Sequence, residues 1–286
     1  MQQILRKLSK INFINSNNID YLKTYYQGLK AQKNFSNIKQ YCIFIGYQRS
    51  GSSLVGSLLD AHPNVVIAHE LNVMKFFESK FSKNQIYYLL LENSQKFAQQ
   101  GRSWSGYSYT VPNQWQGKFS QLQVIGDKKA ALSTIRLGQN PQLLEQIRKT
   151  IQLPIKFIHV YRDAYDNITT MFKNKDRKRT ALLDFEGTIN YYFDLCETIK
   201  MIKVNVPKQD IFDLQHESLI HDPQKALREL CYFLNIEADN EYLKDCASIL
   251  FKSPRKTRES IQWKEEHIEL VKSKITKFDF LQEYSY

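Results

Sequence analysis

The sequence predicts an α/β domain of three layers, in which a mostly parallel central sheet is flanked by helices. The first observation behind this class is that short, β-rich apolar runs alternate along the chain with segments of helical spacing. The second is that the first apolar run leads through a glycine-containing loop directly into a helix. Such alternation is typical of parallel strands joined by crossover helices.

Five strands are predicted, and each is a short apolar run bounded by glycine, polar or charged residues. They cover residues 41–46, 65–68, 122–125, 155–161 and 211–215. The helical segments include residues 52–60, 188–204 and 224–234. The first of these helices is closed by the His62-Pro63 stop.

Residues 101–119 differ from their surroundings because they are rich in glycine and aromatic side chains. They predict a long structured loop. It is either a surface excursion held by its aromatic residues against the helices, or a lid beside a binding site, since ordered long loops often line such sites.

The composition excludes several classes of protein. Hydrophobic residues make up 42% of the 286 residues and no repeat is present, which excludes a disordered, collagen-like or coiled-coil chain. The net charge of +11 favours a polyanionic partner, such as nucleic acid, anionic lipid or a phosphorylated cofactor. Four widely spaced cysteines suggest neither a disulfide framework nor a zinc site, so reduced thiols are expected at Cys42, Cys196, Cys231 and Cys246.

The chain is expected to contain a single domain over residues 41–286, preceded by an N-terminal helical extension over residues 1–40. No segment resembles a linker between two cores. Polar residues interrupt the basic amino terminus, so it lacks the apolar run of a signal peptide or a membrane anchor. The default expectation is therefore a soluble, cytoplasmic protein without a transmembrane segment.

The loop at residues 46–53, GYQRSGSS, follows the first strand and opens the first helix. Backbone N–H groups and the helix dipole favour a phosphate at such a position, so a P-loop nucleotide-binding type of fold is expected. Ser52 stands where a Walker A motif requires lysine, and the cation has moved to Arg49, which disfavours ordinary kinase or GTPase chemistry. The alternative is a glycine turn that binds no ligand.

Three motifs carry a resemblance to the sulfotransferases that use 3′-phosphoadenosine-5′-phosphosulfate (PAPS). Residues 49–53, RSGSS, followed by LDAHP at 59–63, resemble the 5′-phosphosulfate loop of that family, particularly in its tyrosylprotein and carbohydrate branches and in bacterial members. Residues 158–170, with Arg162 at a strand end and Thr170 eight positions later, are similar to the 3′-phosphate motif. The third match is a basic pair seven and eight residues before Trp263, although the glycines that usually follow this pair are absent.

The resemblance implies a role for each matching residue, with PAPS as the co-substrate and no metal. Ser50, Gly51, Ser52 and Ser53 would join Arg49 in holding the 5′-phosphosulfate. Arg162, Thr170, Arg255 and Lys256 would bind the 3′-phosphate, and Arg258 could share that contact. His216 takes the place of the family's adenine-contacting tyrosine.

The resemblance also suggests the catalytic groups, Glu70, Arg49 and Lys128. Glu70 aligns with the general base of the tyrosylprotein branch, and His69 is the competing candidate. A glutamate is an efficient base only when its pKa lies near neutrality. Lys128 resembles the lysine that the family directs at the transferring sulfonate, and Lys129 is the alternative one position away.

An independent expectation comes from topology. Charged or polar candidates follow five separate predicted strands, namely Arg49, Glu70, Lys128, Arg162 and His216. In a parallel sheet those strand ends share one edge, where ligands of open α/β folds bind.

The expected activity is transfer of a sulfonate from PAPS to an acceptor hydroxyl, or less favourably an amine, by in-line displacement. The acceptor could be a small molecule, a glycan, a lipid or a tyrosine-type hydroxyl. The aromatic residues of the predicted loop, Trp104, Tyr107, Tyr109 and Trp115, hint at an acceptor with flat or apolar faces.

Two other classes stay open. A basic α/β module could bind nucleic acid through the runs at residues 173–179 and 252–258, although nucleic acid is not the favoured partner. An atypical P-loop kinase would need a magnesium-binding acid, for which Asp127 alone is suitably placed.

Overall fold

The computed structural model describes residues 21–174 and 181–286. The central sheet has five strands, which are β1 (Gln40–Ile45), β2 (Val65–His69), β5 (Val124–Lys128), β6 (Ile155–Tyr161) and β7 (Ile211–Gln215). Their order across the sheet is β2-β5-β1-β6-β7, and each strand pairs in parallel with its neighbours. The predicted fold class, a mostly parallel α/β sheet flanked by helices, is confirmed.

Helices cover both faces of the sheet. They are α1 (Tyr21–Ala31), α2 (Ser52–Asp60), α3 (Met74–Glu78), α4 (Lys83–Gln99), α5 (Ala130–Gln139), α6 (Leu143–Ile151), α7 (Ala164–Lys173), α8 (Phe185–Val204), α9 (His216–His221), α10 (Pro223–Phe233), α11 (Asn240–Ser248) and α12 (Glu265–Ile275). Short 3₁₀ turns lie at Gln32–Phe35, Lys208–Asp210, Thr257–Ser260 and Asp279–Leu281. None of the helices in the described ranges is long and apolar enough to cross a membrane.

The central strand β1 explains the three layers. Its residues are all buried, and alternate side chains point to opposite faces of the sheet. Tyr41, Ile43 and Ile45 belong to one hydrophobic cluster, whereas Cys42 and Phe44 belong to a second cluster on the other face. Because both faces need apolar side chains, the strand is a continuous apolar run without polar alternation.

The third predicted strand differs from the structure in its bounds. β5 begins at Val124 and continues to Lys128, beyond the predicted end at residue 125. Gly126 suggested a strand end, but it lies inside the strand. A side chain does not fit at this position, since a Cβ atom there would be 2.2 Å from the carbonyl oxygen of Cys42 in β1. The glycine therefore permits close approach of two paired strands.

The helix α1 packs against α4, with little space between them. A Cβ atom at Gly28 would be 2.8 Å from the backbone of Asn84. The side chain of Gln85 donates hydrogen bonds to the carbonyl oxygen of Tyr21 at 3.1 Å and to Oγ1 of Thr24 at 3.3 Å. Residues 1–20, the first half of the predicted N-terminal extension, lie outside the described residues.

The predicted loop at residues 101–119 contains a small antiparallel hairpin that the sequence did not indicate. Its strands are β3 (Ser103–Trp104) and β4 (Tyr107–Ser108), joined by Ser105 and Gly106, whose φ angles are 51° and 81°. Positive φ at both turn residues is typical of a two-residue hairpin turn. Just before β3, Arg102 makes a buried ion pair of 2.7 Å with Asp60 at the end of α2, which anchors the hairpin.

Candidate active site

A cavity of about 820 Å³ lies at the carboxyl edge of the sheet. After β1 the chain first adds β2 and β5 on one side of β1 and then adds β6 and β7 on the other side. The loop that follows β1 therefore lies at the topological switch point, where ligands of open α/β sheets bind. The cavity is lined by residues 47–49, 51–54, 70, 104–109, 129–132, 162, 170, 171, 174, 216, 220, 249–251, 253–255 and 257.

Most of the predicted site residues meet around this cavity. Those that line it are Arg49, Gly51, Ser52, Ser53, Glu70, Arg162, Thr170, His216 and Arg255. Lys128 lies beside it and contacts two of the lining residues. Ser50 is buried next to the cavity without lining it, and the structure leaves Lys256 exposed outside the lining.

The loop at residues 46–53, here called the phosphate loop, has a backbone that only glycine tolerates at one point. Gly51 is the N-cap of α2 with a φ of 96°, and a Cβ atom there would lie 2.3 Å from Cδ2 of His216. Gly51 has no side chain to cap the helix, so the first N–H groups of α2 are left for a ligand, and Ser52 and Ser53 of this turn line the cavity. The loop is also tied to α5, because Gly46 N donates a 2.8 Å hydrogen bond to Oγ1 of Thr134.

Glu70 lies between two lysine side chains. Nζ of Lys128 contacts its Oε1 atom, and Nζ of Lys129 contacts its Oε2 atom. Lys128 also donates a 2.8 Å hydrogen bond to Oγ of Ser53 in the phosphate loop. Burial raises the pKa of Glu70, but the ammonium groups of Lys128 and Lys129 outweigh burial and lower that pKa to about 2. Glu70 is therefore anionic at neutral pH, and its pKa lies below the near-neutral range of an efficient base.

Asp127 fixes the backbone that carries Glu70. Its Oδ1 accepts a hydrogen bond from Leu71 N at 3.1 Å, and its Oδ2 accepts one from Val73 N at 2.8 Å. These bonds hold a turn in which Glu70 has a φ of 59°. Burial raises the pKa of Asp127 to about 6. Since both carboxyl oxygens accept backbone hydrogen bonds, Asp127 gives no support to the magnesium site that a kinase would need.

His69 is poorly placed to act as the base. Its ring stacks on Phe97 with centroids 3.9 Å apart and meets Trp104 edge-on at 5.2 Å. Burial lowers its pKa to about 3, assisted by the nearby Lys128 ammonium group. His69 does not line the cavity, whereas its neighbour Glu70 does.

Arg162 joins the phosphate loop to the segment at residues 249–257. Its guanidinium group is almost fully buried and donates to the carbonyl oxygens of Arg49 at 3.5 Å and Arg255 at 3.1 Å. Nearby, the hydroxyl groups of Thr170 and Thr257 lie 3.0 Å apart. His216 completes this side of the cavity, and burial, with Arg162 adding to it, lowers the pKa of its imidazole to about 4.

Arg258 lies outside the cavity lining, and its charge is paired within the protein. Its guanidinium group forms ion pairs with Asp163 and Asp166, and its backbone N–H donates to Asp166 Oδ1 at 2.7 Å. Asp163 is also the N-cap of α7, where it accepts hydrogen bonds from two backbone N–H groups. Arg258 therefore holds the 3₁₀ turn Thr257–Ser260 against α7.

The outer side of the cavity is aromatic. The Tyr107 hydroxyl accepts a 3.0 Å hydrogen bond from Arg255, whose guanidinium group lies 4.2 Å from the ring centroid of Phe251. Phe251 and Thr257 line the cavity, yet no motif in the sequence points to them. The only available signal for Thr257 is its position directly after the basic pair at 255–256.

Similarity to known proteins agrees with this geometry. A family model described as "Sulfotransferase family" matches residues 42–240, which is more than half of the chain. The fold is similar to that of the sulfotransferase domain from the curacin biosynthetic pathway, with a TM-score of 0.54, 15% identity and coverage of 85% of this chain and 98% of that one. Sulfotransferase STF9 from Mycobacterium avium gives a TM-score of 0.51 at 10% identity, covering 92% of this chain and 83% of that one. No curated protein sequence matches the chain significantly.

Proposed function

The chain belongs to the sulfotransferase family, and we propose that it transfers a sulfonate group from PAPS to an acceptor hydroxyl, or less favourably an amine. PAPS supplies the sulfonate when bound, and the product that remains after transfer would be adenosine 3′,5′-bisphosphate. One observation carries the proposal. The Lys128 ammonium group contacts both Ser53 in the phosphate loop and the Glu70 carboxylate, so the loop, a cation and a candidate base form one connected group.

The residues around the cavity fit a nucleotide that carries phosphate on both sides of its ribose. Glu70 is the one carboxylate among the described residues that line the cavity, whereas four cationic side chains line it, namely Arg49, Lys129, Arg162 and Arg255. Several buried polar atoms have no hydrogen-bond partner within the described parts of the chain, and they include Oγ of Ser50 and Nε of Arg162. Buried donors without partners are uncommon in proteins, and both would be satisfied by a phosphate oxygen.

We assign the binding roles in two groups. Ser50, Gly51, Ser52 and Ser53 would hold the 5′-phosphate through backbone N–H groups and hydroxyls at the start of α2. The 3′-phosphate would be bound by Arg162, Thr170 and Arg255, and His216 would contact the adenine. Lys256 is left out of this assignment because it is exposed and outside the cavity lining.

The catalytic roles fall to Glu70, Lys128 and Arg49. Glu70 is anionic at neutral pH, so its carboxylate would accept the proton of the acceptor hydroxyl. The pKa of Glu70, about 2, makes its carboxylate a weak base, so proton removal needs assistance. Lys128 and Arg49 would assist by donating hydrogen bonds to oxygen atoms on which negative charge develops.

The acceptor would enter beside the aromatic outer side of the cavity. Trp104, Tyr107 and Tyr109 line it there, and such rings pack well against flat or apolar faces. This favours a small molecule, a glycan, a lipid or a tyrosine-type hydroxyl with such a face. The four cysteines are free and buried, which suits a reducing compartment, so we propose a cytoplasmic location.

The first experiment is calorimetric titration of the purified protein with adenosine 3′,5′-bisphosphate, with ATP and AMP as matched nucleotides. We expect binding of the bisphosphate with a Kd on the order of micromolar, unchanged by EDTA, and much weaker binding of ATP and AMP, which lack the 3′-phosphate. Absence of binding, or a preference for magnesium-ATP, would contradict the proposal. A positive result leads to transfer assays with labelled PAPS and a panel of hydroxyl acceptors.

Neither alternative function gains support from the site. The basic run at residues 173–179 lies partly outside the described residues. In the run at 252–258, Arg255 faces the cavity and Arg258 is neutralised by two carboxylates, so these residues do not form a continuous basic surface. The nucleic-acid hypothesis would be favoured if the protein binds RNA or DNA with a steep salt dependence and does not bind the bisphosphate.

A further inference from the structure

Lys129 and Lys128 contact the same carboxylate, but their surroundings differ. The side chain of Lys128 is 1% exposed and is also held by Ser53, whereas that of Lys129 is 27% exposed and lines the cavity. The contact between Lys129 and Oε2 of Glu70 therefore borders the open space. Oε1 lies on the opposite side, toward the phosphate loop.

We propose that Lys129 is a positioning residue, which holds the Glu70 carboxylate toward the cavity through its contact with Oε2. This inference rests on the proposed function, in which Glu70 accepts the acceptor's proton. Lys128 would remain with the phosphate loop, and Lys129 would be the cation on the acceptor side of the base. An acceptor hydroxyl that approaches Oε2 would meet the Lys129 ammonium group there.

The position of Lys129 is electrostatically unfavourable without Glu70. Lys129 is the N-cap residue of α5, and the first turn of this helix contains no acidic residue. A cation at a helix N-terminus is repelled by the helix dipole, and a second ammonium group on the adjacent residue adds to the repulsion. The Glu70 carboxylate offsets both repulsions through its contacts with the two lysines, so each charge stabilises the placement of the others.

The backbone at Glu70 does not by itself fix the carboxylate. Asp127 holds the turn through the backbone N–H groups of Leu71 and Val73, but it makes no hydrogen bond to the Glu70 side chain. The two lysines provide the side-chain contacts, one on each oxygen. Loss of Lys129 would therefore free one oxygen and remove one of the two neighbouring positive charges.

The ionisation of Glu70 depends on groups from every element packed around it. Lys128 and Lys129 lie at the end of β5 and the start of α5, and both favour the anion. Asp127 opposes it, and His69 and Tyr109 also interact electrostatically with Glu70. Because an adjacent opposite charge lowers a carboxyl pKa by about 1 to 3 units, removal of the Lys129 charge should raise the Glu70 titration midpoint by that amount.

The test is a carbon-13 NMR titration of the full chain labelled at the glutamate carboxyl groups, with Glu70→Gln used to assign the Glu70 signal. In Lys129→Met the midpoint of this signal should lie about 1 to 3 pH units above the wild-type midpoint. Lys129→Arg keeps the charge and should restore the wild-type behaviour. Lys118→Met, which removes an exposed lysine that does not line the cavity, is the matched control and should change nothing.

An unchanged Glu70 midpoint in Lys129→Met would overturn the inference, as would failure of Lys129→Arg to restore it. If Lys129→Met does not fold, Lys129→Gln, which also removes the charge but keeps a polar side chain, takes its place. An unchanged Glu70 midpoint in Lys129→Gln would then overturn the inference. Calorimetry of the same wild-type sample with adenosine 3′,5′-bisphosphate separates the two claims, because absence of binding contradicts the proposed function without altering the NMR result.

Discussion

The two sides of the cavity are built differently. The sheet side, formed by the phosphate loop, Glu70, Lys128 and Arg162, is held by partly buried polar contacts to backbone and side-chain atoms. The outer side, formed by the hairpin and residues 249–255, presents aromatic side chains that are nearly half exposed, with Trp104 45% and Phe251 46% exposed. Polar contacts within the protein fix a site before its ligand arrives, whereas exposed side chains adjust to the ligand.

This difference suggests that the sheet side binds the nucleotide and the outer side binds the acceptor. The sheet side is preorganised for a charged group that is the same in every reaction cycle, namely the nucleotide and its transferable group. The outer side carries the aromatic rings and two exposed cations, Lys252 and Arg255, of which Arg255 lines the cavity, and it would be the part that adapts to an acceptor. Substitutions on the sheet side should therefore have large effects, and those on the outer side small effects on nucleotide binding.

The largest effect is expected for Glu70→Gln. Replacement of the carboxylate by an amide removes the proton acceptor, so transfer from PAPS should slow by about 10²- to 10⁴-fold. Binding of adenosine 3′,5′-bisphosphate should not weaken, since the substitution removes a negative charge from a cation-lined cavity. Rate measurements and calorimetry on the same variant check both parts.

His69→Asn is the matched control for Glu70→Gln. The His69 ring is packed against Phe97 rather than facing the cavity, so its loss should slow transfer by less than about tenfold. A larger loss for His69→Asn than for Glu70→Gln would reverse the assignment of the base.

The next effect is expected for Arg162→Ala, measured as affinity for the bisphosphate. Charge-assisted hydrogen bonds contribute about 1.5 to 3 kcal/mol each, so loss of the guanidinium group should weaken binding by roughly 100-fold. Lys256→Ala, which removes a nearby cation outside the cavity lining, should weaken it by less than about threefold. Equal effects of the two substitutions would mean that general positive charge, and not a specific contact, binds the nucleotide.

A smaller effect on affinity, about tenfold, is expected for Gly51→Ala. An alanine must adopt a φ near 96°, which destabilises the fold by about 1 to 2 kcal/mol, and its Cβ would also clash with His216. Gly101→Ala is the matched control, because Gly101 has a φ of 73° but no atom within 4 Å of a Cβ placed there. The thermal unfolding midpoint should therefore fall further for Gly51→Ala than for Gly101→Ala. Equal decreases would show that the His216 side chain moves aside at little energetic cost.

The sequence predicted the sheet side better than the outer side, for a physical reason. Arg49, Glu70 and Arg162 follow buried strands, and strand ends can be identified from local apolar runs. The family and the parallel sheet were confirmed, since both depend on such local patterns and on motif spacing.

Contacts that depend on strand order escaped prediction. The sequence did not show that β5 lies between β2 and β1, and this neighbourhood brings Asp127 to the turn after β2 and Lys129 to Glu70. The pairing of Arg258 with α7 and the hairpin turn likewise depend on contacts between distant segments. For these residues, composition and spacing indicate the type of side chain but not the residue that it contacts.

The smallest effect is expected for Tyr107→Phe, and this substitution tests the comparison most directly. It removes the hydroxyl that accepts a hydrogen bond from Arg255 but keeps the ring. Because Tyr107 is 40% exposed, this bond competes with water, and affinity for the bisphosphate should change by less than about threefold. Calorimetry that instead shows a tenfold loss would mean that Tyr107 holds Arg255 in a preorganised position. The outer side would then share the fixed character of the sheet side, and acceptor choice would have to reside elsewhere in the cavity.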